Sequence, residues 1–286
     1  MSPTSVFRAG ATALITGGAS GVGLAVAKLC ASHSMNLILV DTNYSALKSV
    51  ESSLSQNSKG TVDVHELDVS APQQWNALSE KLRGERRELD FLHLNAGIGA
   101  KGDWTDGDYF RKIFDVNFYG VVNGINTFYP HFAKAGEGEG KSKAIVITGS
   151  KQGITNPPGN AAYNASKSAI KSLAEHLSYD LAKTAPGTSV HLLVPGWTFT
   201  GLTGGGQTKT KPDGAWAPEQ VAEYMYKKMG EGKFYIICPD NDVSWETDRK
   251  RMMWSVGDIV YERQPLSRWR EEYKEEAKKT MDEMKL

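Results

Sequence analysis

Cysteine is nearly absent. Cys30 and Cys238 are the only two in 286 residues, too few for a disulfide scaffold or a cysteine-rich zinc site, and the count fits a reducing compartment. Both read as small buried side chains. A net charge is missing as well. Lys plus Arg and Asp plus Glu stand at 33 each, so no long-range field gathers nucleic acid or an anionic membrane, and small molecules or protein partners are the expected ligands. No stretch reaches the roughly 20 apolar residues of a membrane span. The opening "MSPTSVFRAG" lacks the apolar run of a signal peptide, so a soluble, cytoplasmic protein is expected. The six histidines are scattered without ligand spacing, and no metal is expected.

What the chain does contain is alternation. The runs "ATALIT", "NLILV", "VDVHEL", "FLHLN", "AIVIT", "SVHLLV" and "FYIIC" are separated by helix candidates beginning near Gly21, Thr42, Ala71, Tyr109, Ala161 and Pro218. That is the pattern of βαβ units wound into a parallel sheet. Several runs are apolar almost throughout, as strands covered on both faces are. The expected class is α/β: a single domain over residues 1–286 with one doubly wound, seven-stranded parallel sheet and helices on both faces. "AGEGEGKSK" reads as a surface loop. Residues 201–216, "GLTGGGQTKTKPDGAW", read as a long loop closing over a site. Beyond Cys238 a helical extension is expected at about 239–286, one helix containing "WETDRKRMMW" and another running from about Leu266 to the end. Trp269 and Tyr273 of the second lie four apart and share a helical face.

The first strand runs into "TGGASGVG", residues 16 to 23, and a helix follows directly. Glycine there lets the backbone approach a pyrophosphate, and the helix N-terminus offers free N–H groups and a positive dipole end. The bland reading is a glycine-rich turn. The second strand ends at Asp41, about 20 residues beyond the glycines, where a carboxylate accepts hydrogen bonds from the adenosine ribose hydroxyls. A helix N-cap is the alternative for it. No basic residue stands within the glycine turn or just after Asp41 to hold a 2′-phosphate, so NAD is expected over NADP.

Four Tyr-x-x-x-Lys pairs place both side chains on one helical face: Tyr44/Lys48, Tyr163/Lys167, Tyr179/Lys183 and Tyr224/Lys228. Spacing alone does not choose among them.

The glycine spacing T-G-x-x-x-G-x-G resembles that of the compact branch of the short-chain dehydrogenase/reductase family, and further landmarks follow in the same order. They are "LDV" at 67–69, "NAG" at 95–97, Asn117 in "DVNFYG", Ser150 in "VITGSKQG", "YNASK" at 163–167 and "PGWTFT" at 195–200. The resemblance covers roughly residues 10 to 240 and implies a Rossmann fold. It further implies an NAD-dependent oxidoreductase of the alcohol dehydrogenase or carbonyl reductase kind, and a homodimer or homotetramer packed through helices around 109–130 and 161–183. A catalytic set of Asn117, Ser150, Tyr163 and Lys167 is implied with it. The cofactor would be bound by Thr16, Gly17, Ser20, Gly21, Val22, Gly23, Asp41, Asp68, Val69, Asn95, Ala96, Gly97, Pro195, Gly196, Thr198 and Thr200, together with Tyr163 and Lys167. Asp68 would meet the adenine, and the Thr198 main chain the nicotinamide carboxamide. Thr198 departs from the family's usual aliphatic residue.

Tyr163 is the tyrosine that shares a site with these motifs. Ser150, thirteen residues before it, ends a strand at the sheet edge where the glycine turn also lies. Tyr179 is 16 residues further on, roughly 24 Å along the same helix. A free phenol has a pKa of roughly 10. Lowering it by about three units takes about 4 kcal/mol, which a lysine ammonium at roughly 4 Å supplies at an effective dielectric near 20. Tyr163 is therefore expected as acid/base, Lys167 as its partner, and Ser150 as hydrogen-bond donor to the substrate oxygen. Trp104, Trp197, Phe199 and Trp216 lie in segments that reach the pocket, and aromatic walls suit an apolar or aryl alcohol or carbonyl. A nucleotide-binding regulator without turnover is the competing class.

Overall fold

The computed structural model describes residues 2–133, 142–203 and 210–286. Seven strands alternate with helices: β1 (Thr12–Thr16), α1 (Gly21–Ser32), β2 (Asn36–Asp41), α2 (Tyr44–Ser55), β3 (Val62–Glu66), α3 (Pro72–Gly84) and β4 (Phe91–Leu94). α4 (Gly107–Phe114) then passes through a π-helical turn, Asp115–Tyr119, into α5 (Gly120–Phe132). The chain continues with β5 (Lys143–Thr148), α6 (Gln152–Thr155), α7 (Ala161–Thr184), β6 (Thr188–Val194), α8 (Pro218–Gly230), β7 (Tyr235–Ile237), α9 (Trp245–Val260) and α10 (Lys274–Glu283). All seven strands join one parallel sheet in the order β3-β2-β1-β4-β5-β6-β7. Chain order reverses between β1 and β4, and open sheets of this kind bind ligands at such a switch point.

The apolar runs are continuous because successive residues serve opposite cores. Ala13, Ile15, Leu37, Leu39, Phe91 and Val146 pack with residues of α1 and α8. Leu14, Ile38, Val40, Leu92, Ile145 and Ile147 pack on the other face with residues of α3, α5 and α7. Cys30 and Cys238 are buried and unpaired with each other. Among the described residues no helix is long and apolar enough to cross a membrane.

The ends of the chain depart from expectation in one respect. α9 forms as expected, with Ser244 capping its N-terminus by accepting from the Thr247 N–H. The helix expected from Leu266 begins only at Lys274, because the intervening chain is folded back onto α9. Ser267 accepts from the Trp254 indole N–H at 2.7 Å, and its own N–H donates to Asp258. Leu266 takes a left-handed φ of +57°, so Trp269 and Tyr273 sit in two separate 3₁₀ turns rather than on one helical face. Most of the expected "AGEGEGKSK" loop, residues 135–141, lies outside the described residues.

Candidate active site

The carboxyl ends of the central strands open onto a cleft of about 770 Å³. At its floor β1 ends in Thr16, and the chain turns through Gly17 (φ +67°) and Gly21 (φ +54°) into α1. Glycine adopts these left-handed angles without steric cost. Gly23 answers a different need: a Cβ there would stand 2.1 Å from the Gly17 carbonyl oxygen, so any side chain would push α1 off the turn. Ser20, Gly21 and Val22 line the cleft. Ser20 makes no side-chain cap bond, which leaves the first-turn N–H groups available to an anion.

Asp41 closes β2 and lines the same cleft. Its Oδ2 accepts from the Ala19 N–H at 3.2 Å and its Oδ1 from the Asn43 N–H at 3.1 Å, which holds the carboxylate beside the glycine turn. Asn43, not Asp41, is the N-cap of α2. Asp68 and Val69 line the cleft beyond β3, with Asp68 Oδ1 accepting from the Ser70 N–H and hydroxyl.

Thr16 lies behind the cleft and builds its next wall. Its hydroxyl accepts from the N–H groups of Asn95 at 2.8 Å and Ala96 at 3.0 Å, so Asn95, Ala96 and Gly97 are held along the cleft. Thr148 donates its hydroxyl proton to Asn95 Oδ1 at 3.1 Å and stands 3.0 Å from His93 Nε2. Burial pushes His93 down to about 3, so this imidazole is neutral.

On the opposite wall stand Ser150, Tyr163 and Lys167. Ser150 follows β5, and its Oγ accepts from the Gln152 N–H at 3.2 Å. Lys167 is buried, and its Nζ donates to the Thr148 carbonyl at 2.9 Å, 5.8 Å from the Tyr163 ring centroid. Burial pulls Lys167 down to about 8. Burial also raises the Tyr163 phenol, with the facing Ser150 hydroxyl acting in the opposite sense. This differs from the sequence expectation of a phenol lowered by its lysine. The Lys167 ammonium is tied to the Thr148 carbonyl, and burial sets the direction of the phenol's shift.

Proximity to lysine does not distinguish the four tyrosines. Lys183 stands 3.8 Å over the Tyr179 ring, and Lys228 5.5 Å from the Tyr224 ring, yet neither tyrosine lines the cleft. Tyr179 is 63 % exposed, Tyr224 packs edge-on against Trp216, and Lys48 beside Tyr44 is paired with Glu51. Only Tyr163 brings its lysine into the cleft.

Pro195, Gly196, Thr198 and Thr200 complete the lining after β6. Thr198 bridges to Trp216, and its carbonyl accepts from the Thr203 hydroxyl. Thr16, Gly23 and Asn117 are the three expected site residues outside the lining. Asn117 is fully buried in the π turn, a distortion frequent at functional sites. Its Oδ1 accepts from the Ile98 N–H at 2.8 Å, and its Nδ2 donates to the Ile98 carbonyl at 3.0 Å. It clamps the chain that leaves β4.

The aromatic expectation holds only in part. Trp197 lines the cleft, but Trp104, Phe199 and Trp216 do not. Trp104 is 82 % exposed against Phe110, and Trp216 packs toward the α1/α8 core. Ile98, Lys151, Gln152 and Leu202 line the cleft without having been singled out. Ile98 and Leu202 carry no motif, while Lys151 and Gln152 directly follow the serine, a position from which they could have been read. Of the stretch 201–216, residues 204–209 lie outside the described residues, and Gly201, Leu202 and Thr203 border the cleft. Among the described residues no three His, Cys, Asp or Glu side chains are grouped to hold a metal.

Residues 11–211 match the profile of the short chain dehydrogenases. An uncharacterized oxidoreductase of Listeria monocytogenes, Lmo0432, is 31 % identical over 233 residues, 81 % of this chain and 86 % of its own. A short chain dehydrogenase/reductase from Burkholderia phymatum, solved in complex with NAD, is 28 % identical with a TM-score of 0.77, over 90 % of this chain and 96 % of its own. A Sphingobium yanoikuyae short-chain dehydrogenase in complex with NADPH shares the fold, with 23 % identity and a TM-score of 0.71 over 88 % and 93 % of the two chains. A profile match across most of the sheet, joined to that Listeria likeness, places this chain in the short-chain dehydrogenase/reductase family of oxidoreductases.

Proposed function

We propose that this protein interconverts an alcohol with an aldehyde or ketone, using NAD as the hydride carrier and Tyr163 as acid/base. One observation carries the reading: Ser150, Tyr163 and Lys167 stand in the same cleft as the glycine turn and Asp41. The cleft's own shape suits a dinucleotide. Gly17 and Gly21 bring backbone to the α1 N-terminus, and a Cβ on Gly97 would stand a tight 3.3 Å from Asn117 Oδ1 and in ordinary contact, 3.6 Å, with Lys167 Nζ.

When bound, the nicotinamide accepts or supplies the hydride. The chain handles the proton. In oxidation Tyr163 acts as the phenolate, having first released its own proton to solvent, and takes the hydroxyl proton as the carbon–hydrogen bond gives up its hydride; in reduction the neutral phenol gives its proton to the carbonyl oxygen. Ser150 donates a hydrogen bond to that oxygen in both directions, where negative charge develops. Lys167, steadied by the Thr148 carbonyl, orients the nicotinamide ribose and holds positive charge near the phenol. Asn117 holds the Ile98 main chain in place behind it. Trp197, Ile98 and Leu202 give the substrate side an apolar character that suits aryl or alkyl carbonyls.

Asp41 sets the nucleotide preference, because a 2′-phosphate would meet a like charge. Asp41→Ala should weaken NAD by about 10- to 100-fold, the scale of hydrogen bonds to a charged group, and narrow the preference over NADP. Calorimetric titration with both nucleotides checks this, and equal wild-type affinities would contradict the assignment.

A homodimer or homotetramer packed through α4, α5 and α7 belongs to the same reading. Tyr119 and Tyr179 are exposed on these segments. Sedimentation at micromolar concentration should show an oligomer; a monomer would count against it.

A further inference from the structure

Three charged side chains meet where the C-terminal extension reaches the cleft. Lys151 directly follows Ser150. Its Nζ lies 2.6 Å from Asp248 Oδ2 in the first turn of α9 and 3.3 Å from Asp240 Oδ2 beyond β7. The lysine side chain is 17 % exposed and the two carboxylates 5 % and 4 %, so the cluster is almost entirely out of water. Asp240 is committed at both oxygens. Oδ2 also accepts from the Trp197 N–H at 3.0 Å, and Oδ1 accepts from the N–H groups of Asp242 and Val243 at 3.1 and 2.8 Å. Gly196 lies flat against the group. A Cβ there would be 2.6 Å from Asp240 Oδ2 and 3.0 Å from Lys151 Nζ.

Stability does not account for this arrangement. Desolvating ions is costly, and apolar replacements of buried ion pairs are often neutral or better. Burial pushes the Asp248 carboxyl above the usual carboxylate range, which shows the cost locally. What a buried ion cluster does provide is registry. Here it fixes three segments at one point: the turn carrying Ser150, the Pro195–Trp197 main chain, and α9.

We propose that Lys151 is a positioning residue for the substrate side of the cleft, holding Ser150 and Trp197 in register through Asp240 and Asp248. The C-terminal extension is thereby a working part of the site. The proposal rests on the reading of Ser150 and Trp197 as substrate-facing, and it makes the substrate wall sensitive to residues about 90 to 100 positions downstream in sequence while leaving the glycine turn and Asp41 alone.

The test uses the full chain and two neutral variants, Lys151→Met and Asp248→Asn. Amide hydrogen exchange is measured on peptides covering 195–200 with and without NAD. Both variants should speed exchange at Trp197, although its N–H is bonded to Asp240 and not to Asp248. The double variant should be no faster than Lys151→Met, because both act through one lysine. With the aryl alcohol or ketone that the wild type turns over fastest as probe, Lys151→Met should raise KM roughly tenfold or more, lower kcat less, and change NAD affinity less than KM. Exchange at Trp197 that stays at the wild-type rate in both single variants overturns the proposal. So does a loss in which kcat, NAD affinity and thermal stability all fall together by similar factors, as general unfolding would give. If the wild type turns over no alcohol or carbonyl, the proposed function fails, and the exchange experiment alone then decides whether Lys151 couples α9 to the cleft wall.

Discussion

Tyr163→Phe should lower turnover by roughly 10² to 10⁴, the range of a general acid/base, while NAD affinity stays close to that of the wild type. The substitution keeps the ring and removes the one transferable proton that Tyr163 places in the cleft. Tyr44→Phe, Tyr179→Phe and Tyr224→Phe keep equivalent packing and should leave turnover nearly intact. These controls matter because each has its own lysine four residues on, and Lys183 is nearer its ring than Lys167 is. Steady-state rates of the four variants on one confirmed substrate decide the assignment. Near wild-type turnover in Tyr163→Phe, or loss in Tyr179→Phe, would sink it.

Lys167→Ala should be at least as severe, and it should differ in kind. On the proposed function the lysine would orient the nicotinamide ribose as well as charging the phenol's surroundings, so NAD binding should weaken along with turnover. Burial already raises Tyr163. Without the ammonium, oxidation should climb with pH through the alkaline range and recover only in part, since the ribose contact stays lost. Stability carries a second signature. In the folded protein Lys167 titrates near 8, below its ordinary 10.5, so between those values the unfolded chain holds the extra proton and the folded chain does not. Stability should therefore rise with pH across that window, reach its full value above it, and be lost as pH falls through about 8. Denaturant unfolding of wild type and Lys167→Ala between pH 7 and pH 11 would show this rise in the wild type only. A rise of equal size in both would mean that another group is responsible.

The central strands were legible because their runs serve two cores and so stay apolar almost throughout, as Leu14 and Ile15 do on their opposite faces; β3, VDVHE with only Val62 buried, was legible from alternation and its place between helices. The glycine turn was legible because sterics leave few alternatives at Gly17, Gly21 and Gly23. Tyr163 was separable from its three rivals by the place its helix holds relative to the sheet edge. Interactions closed by tertiary folding were not legible. Lys151 finds Asp240 89 residues on, and no local spacing announces the pair. The start of the last helix failed for a related reason: Ser267 is drawn to Trp254 and Asp258, a tertiary demand that overrides helix propensity between Leu266 and Lys274. Charge proximity can be guessed from spacing, whereas the burial of Tyr163 and the Thr148 carbonyl that claims the Lys167 ammonium cannot.

Because β1 sits beside β4 in the sheet, the floor and first wall of the cleft are joined by Thr16 bonds that span 79 and 80 positions of chain. No contiguous fragment shorter than that carries even this half of the site. Its assembly must wait for a crossover whose loop-closure entropy is spent before any contact forms. A nucleotide that binds there meets only chains that have completed the switch in strand order, and by mass action it holds them in that state. On the proposed reading a dinucleotide would therefore act as a folding ligand as well as a reactant, and adding it during refolding should raise the yield of folded chain.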